Sequence, residues 1–113
     1  MAAKLNPDLL RLKDILNAIG DIENFLEKSS LNDRMTVMAV AYEIAIIGEA
    51  CSKLSEALRV QYGDIPWSDI IGMRHRIIHD YGKVSIERLK EVIFNHIPKF
   101  KQQIETIAGH LNP

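Results

Sequence analysis

The segment Gly72 to Gly82, GMRHRIIHDYG, gathers two arginines, two histidines, an aspartate and a tyrosine into one short stretch of an otherwise plain chain. A histidine, whose ordinary pKa is about 6.5, can accept or return a proton near neutral pH. An arginine keeps its charge and can hold a phosphate in a forked grip, stabilising the charge that builds up at phosphorus. Arg74 and His79 together have the chemistry for attack of a ribose 2′-hydroxyl on its own phosphate, a cleavage of RNA that needs no metal. Two copies across a dimer axis would supply one histidine as base and another as acid.

Geometry sets a condition on this pairing. Arg74 and His79 are five residues apart, about 140° around an ideal helix, whereas Arg74 and Tyr81 are nearly aligned. The pair can work together only if the helix loosens near His79 or if the long side chains converge in a cleft, one that a second subunit could complete. His75 and His79 have the four-residue spacing of a two-histidine metal site, but only Asp80 or Glu49 stands out as a further ligand, so no metal is expected. Glu49, in IGEAC, is a carboxylate on a mostly apolar helix; either it partners Arg74 or Arg76, or it is simply solvated. Trp67, after Ile65-Pro66, reads as a hydrophobic anchor rather than a base-stacking platform. Cys51 reads as a small buried residue, and His96 and His110 have no evident catalytic partner. Lys53, Lys99 and Lys101 are scattered and form no track for RNA.

The elements that must position these groups read as helices. Asn6-Pro7 is a helix start, because asparagine can cap free N–H groups and proline tolerates the first helical position. Leu9, Leu12, Leu16, Ile19, Ile22 and Leu26 then follow helical spacing with one core face, Gly20 being its weak point. A polar connection, Lys28 to Asp33, leads to a second helix over Met35 to Leu58. Its first part is apolar nearly all round, which predicts burial on more than one side, one of them against another subunit, with Ala41, Ala45 and Gly48 leaving room for close approach. Tyr62 to Pro66 is rich in turn residues. Pro66-Trp67-Ser68-Asp69 opens a third helix expected to run to about Tyr81, where Gly82 supplies a left-handed stop. In the last segment Ile86, Leu89, Ile93, Ile97, Phe100, Ile104 and Ile107 share a face, and Pro98 should bend or break it. The pattern predicts an all-α, up-and-down bundle of four to five helices, one domain over residues 1–113.

Composition narrows the setting. The chain has 113 residues, 47% hydrophobic and 26% charged, enough for one modest core. A net charge of −1 gives the surface as a whole no strong attraction to nucleic acid, so any polyanion must be held locally. The single cysteine excludes an internal disulfide and a closed cysteine zinc site within one chain, and suits a reducing compartment. Asp8, Arg11, Lys13 and Asp14 interrupt the N-terminal segment, which therefore lacks a signal peptide's apolar core. The apolar run Met35 to Ala50 is short for a bilayer and contains Glu43 and Glu49. A cytoplasmic location with no membrane association is the expectation.

From IGEACSKLSEAL through IPWSDIIGMRHRIIHDYG, the chain resembles the HepT-like branch of the HEPN superfamily, small all-helical ribonuclease toxins. The resemblance covers nearly the whole chain. Family members carry arginine, any four residues, histidine, any residue and tyrosine, which here match Arg74, His79 and Tyr81. The resemblance implies a HEPN-like, dimer-forming bundle with the motif in a cleft between subunits, endoribonuclease activity without a cofactor, and toxicity when unopposed. It also implies a partner, a minimal nucleotidyltransferase antitoxin of the MntA type, which uses ATP to transfer AMP onto the motif tyrosine, here Tyr81. The family commonly has a small or medium polar residue, often asparagine, after the arginine. The chain has His75 there, whose role, beside Arg74, against RNA or as a plain helix residue, stays open; Asp80 and Glu49 are the other supporting candidates. The alternative from another class is a catalytically silent module that uses the same residues to bind a nucleotide, a phosphate or a partner protein.

Overall fold

The computed structural model describes residues 6–79 and 82–112. The chain forms α1 (Pro7–Lys28), α2 (Arg34–Ser52), α3 (Glu56–Gln61), α4 (Trp67–Ile71), α5 (Met73–Ile77), α6 (Ile86–Glu91) and α7 (Ile97–Leu111), with a π-helical turn, Val92–His96, between the last two. The all-α architecture is as the sequence predicts, with more and shorter helices in the second half. Asn6 caps α1, its side chain accepting from the amides of Asp8 at 2.9 Å and Leu9 at 3.4 Å, with Pro7 in the first turn. Gly20 does not interrupt this helix. Asp33 caps α2 through the Thr36 amide at 3.0 Å. The second helix ends at Ser52 rather than continuing to Leu58, because Ser55 starts α3 by accepting from the Leu58 amide. Asp8 accepts from both the Ser55 amide and hydroxyl, at 2.8 and 2.6 Å, and ties that break to the start of α1.

Pro98 acts one step earlier than expected. Its ring and missing N–H oppose a regular turn around it, and the chain widens into the π turn before restarting at Ile97, with Pro98 in the first turn of α7 where a missing donor costs little. Trp67 is an anchor: it is buried, its Nε1 donates to the Tyr62 carbonyl at 3.1 Å, and its ring meets Phe100 edge-on at 6.3 Å. His110 packs back on the bundle, its Nδ1 lying 2.9 Å from the Tyr62 hydroxyl.

α2 is the centre of the molecule and packs against α1, α4 and α5. By length and composition its 19 residues could cross a bilayer, yet more than half of the helix is buried inside the chain, as in a core helix. Of the small residues expected to leave room for another helix, Gly48 does so within this chain. A Cβ there would meet the carbonyl oxygens of Ile70 and Ile71 at 3.2 Å, so the close approach is that of α4 in the same chain. Cys51 is fully buried beside this contact on α2, and burial pushes its thiol up to about 12, leaving it inert.

Glu43 breaks the apolar rule of α2. It is only 8% exposed, and its Oε2 has no hydrogen-bond partner. Burial first, and then the neighbouring Asp21 carboxylate of α1, push its pKa from 4.5 up to about 7. The folded chain therefore holds a proton that the unfolded chain has released, and stability falls as pH rises from about 4.5 through about 7.

Two outcomes follow for stability. Glu43→Gln, which is neutral at every pH, should raise unfolding stability by about 1–3 kcal/mol near pH 8, with the gain fading below about pH 5, in urea titrations across that range. Gly48→Ala, which presses on backbone that has no rotamer to change, should cost about 1–3 kcal/mol and lower the urea midpoint.

Candidate active site

The motif starts on a helix of five residues. Met73 and Ile77, four apart, turn inward against the core, Ile77 being fully buried. Arg74, His75 and Arg76 are left exposed on the other sides, a basic cluster with no acid on the same helix. Seating α4 against α2 at Gly48 sets where α5 begins, because only Gly72 separates the two short helices.

The third helix does not run to Tyr81 as the sequence suggests. It breaks at Gly72 and ends at Ile77, and Ile78 is already extended, with φ −102° and ψ 115°. Ile78 is β-branched and pairs with Val84 in an antiparallel bridge. The Ser85 amide donates to the Ile77 carbonyl at 2.8 Å, and the His79 amide to the Lys83 carbonyl at 2.7 Å. The Gly82 amide donates back to the His79 carbonyl at 3.1 Å, with Gly82 at φ 74°, a left-handed conformation that a side chain would strain. Gly82 thus closes a chain reversal rather than stopping a helix. Asp80 and Tyr81 lie outside the described residues.

This reversal meets the condition that the sequence set. His79 stands beyond the helix end, so the angular offset of a straight helix from Arg74 no longer applies. His79 is exposed, its backbone held by two hydrogen bonds, and neither it nor Arg74 has a salt bridge or a side-chain hydrogen bond among the described residues. Neither lines the groove between α1 and α2 or the cleft of about 290 Å³ beside α5, which takes Arg76, Arg88 and Lys99 instead.

The supporting candidates fall differently. Glu49 does not reach Arg74 or Arg76; it is exposed and pairs with Lys53 one turn on, at 3.4 Å. Arg76 pairs with Asp69 at 3.2 Å, so of the two motif arginines it is Arg74 that has no acid partner among the described residues. His75 is on α5 and His79 is past its end, so they do not share a helical face, and among the described residues no three His, Cys, Asp or Glu side chains gather as a metal site. Sequence reasoning passed over Glu43 and Asp21. The signal was present for Glu43: it sits three after Val40 and four before Ile47, both fully buried, the spacing of a core-facing residue.

Comparison with known proteins gives this arrangement a family. Residues 15–107 match the family described as Ribonuclease HepT-like. Two Methanocaldococcus jannaschii proteins bearing the name "Putative RNase", MJ0125 and MJ1380, are 32% and 28% identical over 104 and 100 residues, covering 88% and 85% of this chain and 90% and 92% of theirs. A Thermococcus cleftensis protein named "Probable ribonuclease HepT" is 32% identical over 100 residues, 85% of this chain and 91% of its own length. No solved structure matches the chain. With nearly the whole bundle and the Arg74–His79 segment inside the matched region, the chain belongs to the HepT-like ribonuclease family.

Proposed function

We propose that this protein is a metal-independent endoribonuclease, the toxin of a toxin–antitoxin pair, acting as a homodimer in the cytoplasm. The observation that carries the reading is the end of the motif helix at Ile77, which sets His79 free of the helix, five residues after an arginine with no acid partner among the described residues. Arg74 holds the scissile phosphate. One His79 takes the proton of the ribose 2′-hydroxyl as its oxygen attacks phosphorus; the bond to the 5′-oxygen breaks, and His79 of the second subunit returns a proton to that leaving oxygen. The products are a 2′,3′-cyclic phosphate and a free 5′-hydroxyl. Arg74 and His79 line neither the groove between α1 and α2 nor the cleft beside α5, which favours a site completed by a second copy. Local positive charge on α5, against a net charge of −1, supports holding RNA at the motif ahead of the general surface.

Control of the activity follows the same chemistry. A minimal nucleotidyltransferase antitoxin uses ATP to place AMP on Tyr81, two residues from His79. The added phosphate is negative and the nucleotide bulky, so it competes with the RNA backbone for Arg74 and blocks access to His79.

Purified protein should cleave total RNA in EDTA and leave cyclic phosphate ends, while Arg74→Ala and His79→Ala, folded by circular dichroism, should lose at least about a hundredfold in rate. Full activity in either variant removes that residue from the mechanism. Absence of cutting by unmodified wild type points to a binding module. Tyr81→Phe should keep cleaving and acquire no AMP mass when incubated with antitoxin and ATP, and AMP on that variant would identify another acceptor.

A further inference from the structure

The cleft beside α5 lies against the motif helix but is lined by neither Arg74 nor His79. Its floor is apolar, with Ile70, Met73, Val92 and Phe100, and its volume is about 290 Å³. One wall comes from the π-helical turn Val92–His96, a distortion frequent at functional sites. Several of its charged groups are already matched, Arg76 with Asp69 at 3.2 Å and Glu91 with His96 at 3.7 Å. Arg88 and Lys99 are exposed and have no acid partner among the described residues, and of the lining acids Asp64 alone is left to offset them. Asn95 and Gln103 add carboxamides, which both donate and accept hydrogen bonds.

Helical geometry connects this cleft to the candidate site. Arg74, His75 and Arg76 step around α5 by about 100° each, so with Met73 and Ile77 turned inward the two arginines stand on opposite flanks, with His75 on the crest between them. A strand held at Arg74 and passing over His75 therefore meets Arg76, which lines the cleft. A helix is about 10–12 Å across, a distance that a few nucleotides of extended strand cover. We propose that the cleft binds one unstacked nucleotide of a single-stranded RNA substrate, its base on the apolar floor and its flanking phosphates on Arg88 and Lys99. The proposal rests on the ribonuclease reading of the motif. An apolar floor takes the face of a base, and carboxamides match its polar edge. Arg88 on α6 and Lys99 on α7 stand apart along one wall, one for each of the phosphates that flank a nucleotide. A base within a duplex is stacked and paired and does not enter, which selects single strands. The volume lies at the small end of the range of about 300–1,000 Å³ usual for small ligands, enough for one nucleotide and too little for an amphipathic helix of a partner protein.

Fluorescence anisotropy with a labelled single-stranded RNA of about ten nucleotides tests this at constant ionic strength, in the His79→Ala protein so that the probe stays intact. Adding Arg88→Gln and Lys99→Gln, both exposed and so without effect on the core, should weaken Kd by about tenfold or more. Adding Lys53→Gln instead, in the groove between α1 and α2, should change it by less than about twofold. A duplex of the same sequence should compete about tenfold worse than the single strand. With 4-thiouridine in the strand, ultraviolet cross-links mapped by mass spectrometry should include Met73 or residues 88–103. Absence of RNA binding overturns the proposal, as do cross-links confined to other segments or a duplex that competes equally. Unchanged affinity in the Arg88→Gln/Lys99→Gln protein also overturns it and turns the cleft over to a segment of a partner protein. Cleavage in EDTA by the otherwise unaltered chain is read separately. Cutting that ignores both cleft substitutions removes the subsite alone, whereas RNA held in the cleft and never cut removes the catalytic reading alone.

Discussion

The contact on which the active segment depends is the approach of the α4 backbone to Gly48. Two carbonyl oxygens, of Ile70 and Ile71, come within 3.2 Å of where a side chain would begin, a separation that only glycine permits without movement. Backbone so placed cannot adjust by changing rotamer, so the seat is rigid. Trp67 pins the other end of α4 through its hydrogen bond to Tyr62 and its edge against Phe100, which links the seat to α7. With α4 fixed at both ends, the first residue of α5 is fixed as well.

From that seat, the candidate site is positioned by very little structure. Five residues of helix, one fully buried isoleucine and four backbone hydrogen bonds hold Arg74 and His79 on a short reversal. A helix this short has no stability of its own, and its order derives from the packing of Met73 and Ile77. The charged side chains of α5 and His79 stay exposed, so among the described residues the motif carries no buried charge.

α2 carries two kinds of exception to its apolar character, and they serve different contacts. Gly48 accommodates α4, whereas Glu43 faces α1 across from Asp21. The first is a matter of volume and is permanently satisfied. The second is a matter of charge, since the buried carboxyl keeps its proton to about pH 7 and shares it in a hydrogen bond with Asp21. Core packing of this helix is therefore insensitive to pH at one contact and sensitive at another, only five residues away on the same helix.

The sequence by itself determined what is written locally: the apolar spacing of the long helices, the Asn6 cap, the anchor at Trp67, and the motif segment that carries the family resemblance. Helix boundaries in the second half were decided elsewhere. Propensity alone allows 66–81 to run as one helix, but the seat on Gly48 and the pairing of Ile78 with Val84 break it twice, the first through a contact more than twenty residues away and the second through a short reversal that helical spacing does not record. The partner of Glu49 was likewise beyond reach, because a charge on an exposed turn takes the nearest opposite charge, Lys53, ahead of an arginine on another helix. Glu43 marks the boundary between the two kinds of knowledge. Its spacing tells that it faces inward, while only the packing of α1 on α2 supplies the Asp21 carboxylate that changes its ionisation.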